Sequence, residues 1–301
     1  MGIELARQID AEIISLDSMA LYRGMDIGTA KPSAEERAAV PHHLIDVIDP
    51  SAECSIAQYL EAAERAAEEI LQRGKQVLFV GGTALYLKSL LRGVNSGPPA
   101  DWKLRQELEE LARIEGPEAL HARLQKVDPT AAKKWHANDI RRTIRALEVH
   151  AVTGLPISSY QQHFEQGRPA AECRVFVLNW PREQLEERMR RRVDAMFAAG
   201  LVDEVRELVG NCEWGVGNER ADTLGRTARQ AVGYREVLSH FRGELSLPAA
   251  IDLVKLRTRQ FAKRQLTWFR GLSECRWVGV SEPLDPTETA RQIAELGAQV
   301  G

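Results

Sequence analysis

Cysteine is scarce in this 301-residue chain: Cys54, Cys173, Cys212 and Cys275 stand alone, none within five residues of another. That spacing excludes CxxC zinc or redox pairs and a disulfide scaffold, and fits reduced thiols in a cytoplasmic protein. No apolar run approaches the ~20 residues of a membrane helix, so no membrane association is expected. The opening segment MGIELARQID lacks the basic and apolar regions of a secretory leader. Internal repeats and low-complexity tracts are missing as well. No GxxxxGK[ST] occurs anywhere; Arg73-Gly74-Lys75-Gln76 has neither the spacing nor the hydroxyl. What remains is a chain with 44% hydrophobic and 28% charged residues, able to bury a real core.

Charge of one sign is also lacking overall, since 40 Lys+Arg face 43 Asp+Glu for a net charge of −3. The distribution is less even. Residues 133–145 (KKWHANDIRRTIR) carry five basic residues and one acid, and residues 251–280 carry seven basic residues against Asp252 and Glu274. Acid-rich helices such as Glu61–Glu69 offset them, so the total does not exclude a polyanionic partner.

Three apolar runs read as buried parallel strands: Glu12–Leu16, Gln76–Val80 and Arg174–Leu178. A helical pattern from Ile56 to Arg73, closed by Gly74, joins the first pair, and strand–helix–strand order argues for a parallel α/β sheet. Ile3, Leu5, Ala6 and Ile9 give the first residues helical spacing. Helices are expected over Asp101–Glu115, Asp139–Thr153 and Glu183–Ala199, with an almost wholly helical chain after Trp180. The expected organisation is an α/β core over 1–100, an all-helical insert over 101–167, and the second part of the core with C-terminal basic helices over 168–301.

Asp17 follows the first strand, where open α/β sheets bind ligands. It fits a functional acid or an N-cap of the next turn, and position alone does not separate the two. Residues 18–32 (SMALYRGMDIGTAKP) have almost no helical period and read as an ordered loop exposing Tyr22, Arg23, Asp26, Thr29 and Lys31. Gly81-Gly82-Thr83 links strand to helix; it is either a tight turn capped by Thr83 or an anion site, and by itself the turn is favoured. Arg141, Arg142 and Arg145 crowd one helix face, and Arg259, Lys263, Arg264 and Arg270 form a second basic stripe with Trp268 and Phe269 between. Such runs are usually solvated faces; two of them together favour phosphate contact.

Six stretches in order, namely Asp17–Pro32, Pro41–Asp46 (PHHLID), Gly81–Tyr86 (GGTALY), Asn138–Glu148 (NDIRRTIRALE), Gln230–Glu236 (QAVGYRE) and Thr258–Arg270 (TRQFAKRQLTWFR), resemble the tRNA dimethylallyltransferase (tRNA isopentenyltransferase) family. The resemblance implies a P-loop NTPase-like parallel sheet flanked by helices, with a helical tRNA-binding insert. It implies transfer of the dimethylallyl group of dimethylallyl diphosphate to N6 of adenosine 37, beside the anticodon, with Mg²⁺ assisting. Asp17 matches the general base and Thr83 a second residue of the reaction channel that also contacts tRNA. Ser18, Met19 and Ala20 match the segment around the extruded adenine. Arg105, Arg141, Arg142, Arg145, Gly233, Tyr234, Arg235, Arg257, Arg259, Lys263 and Arg264 match RNA-facing positions, Arg141 standing where glutamine is common. Arg192, in a RxxxRxxxM pattern with Arg188 and Met196, is the candidate for the diphosphate. The expected partners are the tRNA anticodon stem-loop and dimethylallyl diphosphate, acting on a monomer.

One departure stands out. Family members carry a strand and a GxTxxGK[ST] loop ahead of the helix in which this sequence starts. The expectation is therefore a core without its first strand, P-loop, loop lysine and metal-binding hydroxyl, no metal ligand remaining. The sheet would have unpaired inner edges on Gln76–Val80 and Arg174–Leu178, and the chain would fold poorly and transfer nothing. A charged hydrogen bond contributes about 1.5–3 kcal/mol, so losing four costs roughly 6 kcal/mol, about four orders of magnitude in rate. Two alternatives stand beside catalysis: a non-catalytic RNA-binding relic, and a nucleotide kinase-like phosphotransferase, which leaves both basic helices unexplained.

Overall fold

The computed structural model describes residues 1–93, 97–160, 167–210 and 224–300. In chain order the elements are α1 (Gly2–Gln8), β1 (Ala11–Leu16), α2 (Ala34–Ala39), β2 (His42–His43), α3 (Ile56–Gln72), β3 (Gln76–Gly81) and α4 (Ala84–Arg92). Then follow α5 (Trp102–Glu115), α6 (Pro117–Val127), α7 (Pro129–Lys134), α8 (Ile140–Thr153) and α9 (Ile157–Tyr160). The last elements are β4 (Val175–Asn179), α10 (Arg182–Ala198), α11 (Leu201–Val209), α12 (Tyr234–Phe241), α13 (Leu247–Arg270), β5 (Cys275–Gly279) and α14 (Pro286–Ala298). They group into two compact units, residues 1–87 with 168–301, and residues 88–167.

The first unit is built on parallel strands. β1 lies between β2 and β3, pairing Ile13 with His42 and, over its whole length, Ala11 with Gln76 through Leu16 with Gly81. All six β1 residues are buried, which explains their β-branched and apolar character. Of the two polar exceptions, Glu12 and Ser15, Glu12 accepts from both Nε and Nη2 of Arg73 at 3.0 and 2.8 Å and lies 2.6 Å from His43 Nε2. These bonds, Arg73 foremost, hold its carboxyl down at about 2. α3 crosses over behind a Ser55–Gln58 capping box and buries Tyr59, Ala63, Ala66 and Ile70 at helical spacing. β4 and β5 form a separate parallel pair, so β3 and β4 each have one edge unpaired among the described strands.

Two expectations need correction. The stretch after Trp180 is not wholly helical: Cys275–Gly279 is a strand, stabilised by pairing with β4 about a hundred residues earlier in sequence, a contact that no local pattern encodes. In the loop after β1, Tyr22 is completely buried and the Lys31 side chain is 1% exposed, so neither is displayed for contacts. Tyr22 belongs to a core with Met25, Leu201, Val205 and Leu238, while Lys31 Nζ donates to Asp26, Asp46 and the Tyr22 carbonyl. Thr29 spends its hydroxyl on the Met25 carbonyl.

The second unit is all helical. Leu108, Leu120 and Ile144 form one packed cluster, and Leu124, Ala131 and Ala146 another. Asp101 caps α5 and Asp139 caps α8, each through its side chain, and Gly154 ends α8 with a left-handed φ of 71°. Among the described residues no helix is long and apolar enough to cross a membrane.

Candidate active site

At the C-terminal end of β1 the chain turns sharply. Asp17 Oδ1 accepts the Met19 N–H at 2.8 Å, the Asx-turn geometry that position allows, and Asp17 remains partly open to solvent. The end of β3 lies alongside. The Gly82 and Thr83 N–H groups both donate to the Leu16 carbonyl, at 3.1 and 2.9 Å. Thr83 Oγ1 accepts the Ser18 N–H at 3.0 Å and lies 3.4 Å from Ser18 Oγ. Parallel pairing of β1 with β3 thus brings Asp17, Ser18 and Thr83 together from 65 residues apart in sequence. Gly81, at φ 159°, leaves no room for a side chain: a Cβ there meets the Leu16 backbone at 2.4 Å.

The floor beneath this cluster is aromatic. Tyr59 and Tyr86 stack with ring centroids 3.8 Å apart, and the Tyr59 hydroxyl donates to the Ser15 carbonyl at 3.0 Å. Burial pushes both phenols up, and the Asp17 carboxylate pushes in the same direction. Arg192, on α10, brings a cation to the same neighbourhood. The residue is exposed, yet protein packed around its guanidinium lowers its pKa while the Asp17 charge raises it, and Nη2 lies 3.5 Å from the Thr29 carbonyl.

The loop after β1 is clamped by residues that the sequence did not single out. One carboxylate, Glu204 on α11, accepts the N–H groups of Asp26, Ile27 and Gly28 at 2.9, 2.6 and 3.2 Å. Gly28 faces the Tyr234 ring so closely that a Cβ would lie 2.4 Å from it. Tyr234 is wholly buried and Gly233 gives its N–H to Glu236, so these two RNA candidates build the wall of the loop, while their neighbour Arg235 is exposed. Asp46, from PHHLID, has its carboxyl held below the usual range; burial opposes this, but Lys31 and Arg37 outweigh it. Carboxylates scattered along helices carry no local signal for such roles.

The remaining candidates fall into two kinds. On α13, Arg259, Lys263 and Arg264 are exposed beside exposed Phe261 and Trp268, with Arg264 over the Phe261 ring. Arg257 instead ion-pairs with buried Glu236. In the helical unit, Arg141 and Arg142 are exposed, Arg142 pairing with Asp139 at 3.1 Å. Arg105 and Arg145 converge on Glu148, which is 0% exposed; Arg105 donates through Nε and Nη2 at 2.9 Å each, Arg145 through Nη1 at 2.5 Å. Ala20 is buried and Met19 partly so. For Mg²⁺, the fit is poor. Among the described residues no three His, Cys, Asp or Glu side chains gather, and the cluster offers one carboxylate already engaged by an amide.

A parallel α/β core that sets a carboxylate and a hydroxyl at its strand ends, in a chain that also carries an all-helical unit with exposed arginines, has the build of a group-transfer enzyme with a polyanionic substrate. Known proteins agree. The profile of the IPP transferase family matches residues 20–272. A tRNA dimethylallyltransferase of Geobacter metallireducens is 46% identical over 278 residues, 92% of this chain and 87% of that one. One from Desulforudis audaxviator is 46% identical over 97% of this chain and 91% of its own. The tRNA isopentenylpyrophosphate transferase of Bacillus halodurans superposes with a TM-score of 0.66 at 37% identity, covering 99% of this chain and 91% of that one. A eukaryotic dimethylallyltransferase acting on tRNA superposes with a TM-score of 0.72 at 28% identity, covering 97% and 74%. The chain belongs to the IPP transferase family of tRNA dimethylallyltransferases.

Proposed function

We propose that the chain, as a cytoplasmic monomer, receives a tRNA anticodon stem-loop and directs N6 of adenosine 37 at the dimethylallyl group of dimethylallyl diphosphate. The N6 lone pair forms the new bond to the allylic carbon, the carbon–oxygen bond to diphosphate breaks, and Asp17 takes the N6 proton. The observation that carries this is the Asp17–Ser18–Thr83 cluster. One Asp17 oxygen is fixed by the Met19 amide, and the other has no hydrogen bond among the described residues. An extruded base pays a few kcal/mol of unstacking, which aromatic contacts such as Phe261 and Trp268 repay.

The leaving diphosphate needs cations and amide donors. Arg192, its surroundings shared with Asp17, is the group that fits, and the sequence holds no GxxxxGK[ST] to add to it. The test compares this chain with a version extended at its N-terminus by a strand and a GxTxxGK[ST] loop, using stem-loop RNA and labelled dimethylallyl diphosphate. Both should bind the RNA, and label should enter it in the extended version only when position 37 is adenosine. Label that ignores the base at position 37, or no RNA binding by either, overturns the proposal.

A further inference from the structure

Gln265 reaches from the basic helix α13 into the catalytic turn, a contact for which the mechanism above has no use. Its Nε2 donates to the Gly82 carbonyl at 2.8 Å, and the fit is close enough that a Cβ on Gly82 would lie 2.3 Å from Nε2. That carbonyl belongs to the same peptide unit as the Thr83 N–H, which donates to the Leu16 carbonyl at 2.9 Å. A peptide unit is planar, with its C=O and N–H pointing in opposite directions. Held by β1 on one side and by α13 on the other, it has no freedom to rotate about its long axis. The orientation of Thr83 follows, and with it the Oγ1 that accepts the Ser18 N–H next to Asp17.

On α13, Phe261 and Trp268 lie four residues before and three after Gln265, hence on its face of the helix. Both are exposed, and Arg264 stands over the Phe261 ring at 5.9 Å. A base that stacks on these rings, with its phosphate on Arg264, bears on the same helix face that grips Gly82. We propose that Gln265 is a positioning residue that couples RNA docked on α13 to the geometry of the Asp17–Ser18–Thr83 cluster. The clamp on Gly82 stands on the free protein; the coupling rests on the tRNA substrate proposed above.

The two halves are tested separately. In the free protein, NMR hydrogen exchange at the Ser18 and Thr83 amides reports the clamp. Gln265→Leu, which keeps bulk without a donor, and Gln265→Glu, which faces the carbonyl with an acceptor, should each speed this exchange about tenfold. The Ile13 and Ile14 amides and the thermal midpoint should hold, and Gln265→Lys, which restores a donor, should recover slow exchange. Unchanged Ser18 and Thr83 exchange in both Gln265→Leu and Gln265→Glu overturns the clamp. For the coupling, stem-loop RNA with 2-aminopurine at position 37 is titrated. Gln265→Leu should bind with wild-type affinity yet give a smaller fluorescence rise at saturation, whereas Arg264→Gln should bind more weakly yet reach the full rise. A full rise in Gln265→Leu overturns the coupling alone. Wild-type protein that does not bind the RNA overturns both the coupling and the proposed substrate, and leaves the clamp standing on the exchange data.

Discussion

The Tyr234 hydroxyl donates to Glu204 Oε1 at 2.5 Å, and the same carboxylate collects three consecutive amides of the loop after β1. Burial, and then the neighbouring carboxylate, push the Tyr234 phenol up, so it stays a donor at any working pH. Tyr234→Phe removes one hydrogen bond to a charged group and is expected to lower stability by about 1.5–3 kcal/mol. Gly28→Ala drives a methyl into the Tyr234 ring and is expected to cost about 1–3 kcal/mol, the price of overpacking a filled site. Urea unfolding of each variant checks both values.

Asp17 separates chemistry from binding. Asp17→Asn should lower the rate of transfer by about 10²–10⁴, the usual share of a general base, while stem-loop affinity stays near wild type. Single-turnover kinetics beside an anisotropy titration measure the two. Equal loss of rate and affinity would assign Asp17 to RNA binding instead.

The arginines of the helical unit should divide by partner. Arg141 and Arg142 are exposed on α8, and removing one phosphate contact lowers the slope of log K against log salt by about 0.7–0.9. Arg105 and Arg145 are committed to buried Glu148, whose carboxyl is held below its usual range; burial opposes this, and the two guanidiniums outweigh it. Glu148→Ala leaves two cations facing a cavity and should cost about 3–5 kcal/mol. Salt titrations of Arg141→Gln and Arg142→Gln, with thermal melts of Glu148→Ala, test the division.

Glu12 makes stability fall in acid. Its carboxyl is lowered from 4.5 to about 2 in the folded protein, chiefly by the Arg73 hydrogen bonds. A depressed carboxylate stabilises the fold fully above its unfolded pKa and loses that contribution as pH falls through the folded value. The loss should run from about pH 4.5 down to about pH 2. Glu12→Gln should flatten that part of the profile in urea midpoints measured across it.

Much of this was legible in the chain itself. The run Glu12–Leu16 announces a buried parallel strand, and the helical pattern from Ile56 to Arg73, closed by Gly74, announces α3, because these signals are local. Asp17 and Thr83 stood out for the same reason, each following a strand. The exposed arginines of α8 and α13 were visible as charge runs. The partners of those residues were not. Arg105, Arg141, Arg142 and Arg145 look alike in sequence, yet two of them neutralise Glu148 while the other two are exposed.

The amino-acid sequence by itself determined the parallel α/β core, the helical unit and the family, because periodicity, capping and motif spacing are properties of neighbouring residues. Only the tertiary structure decided that Tyr234 and Lys31 are buried props, that Cys275–Gly279 is a strand, and that Gln265 reaches Gly82 across 183 residues of chain. Those outcomes depend on which distant carboxylate, carbonyl or strand edge packing brings within hydrogen-bond reach, and a single chain read in order does not contain that distance.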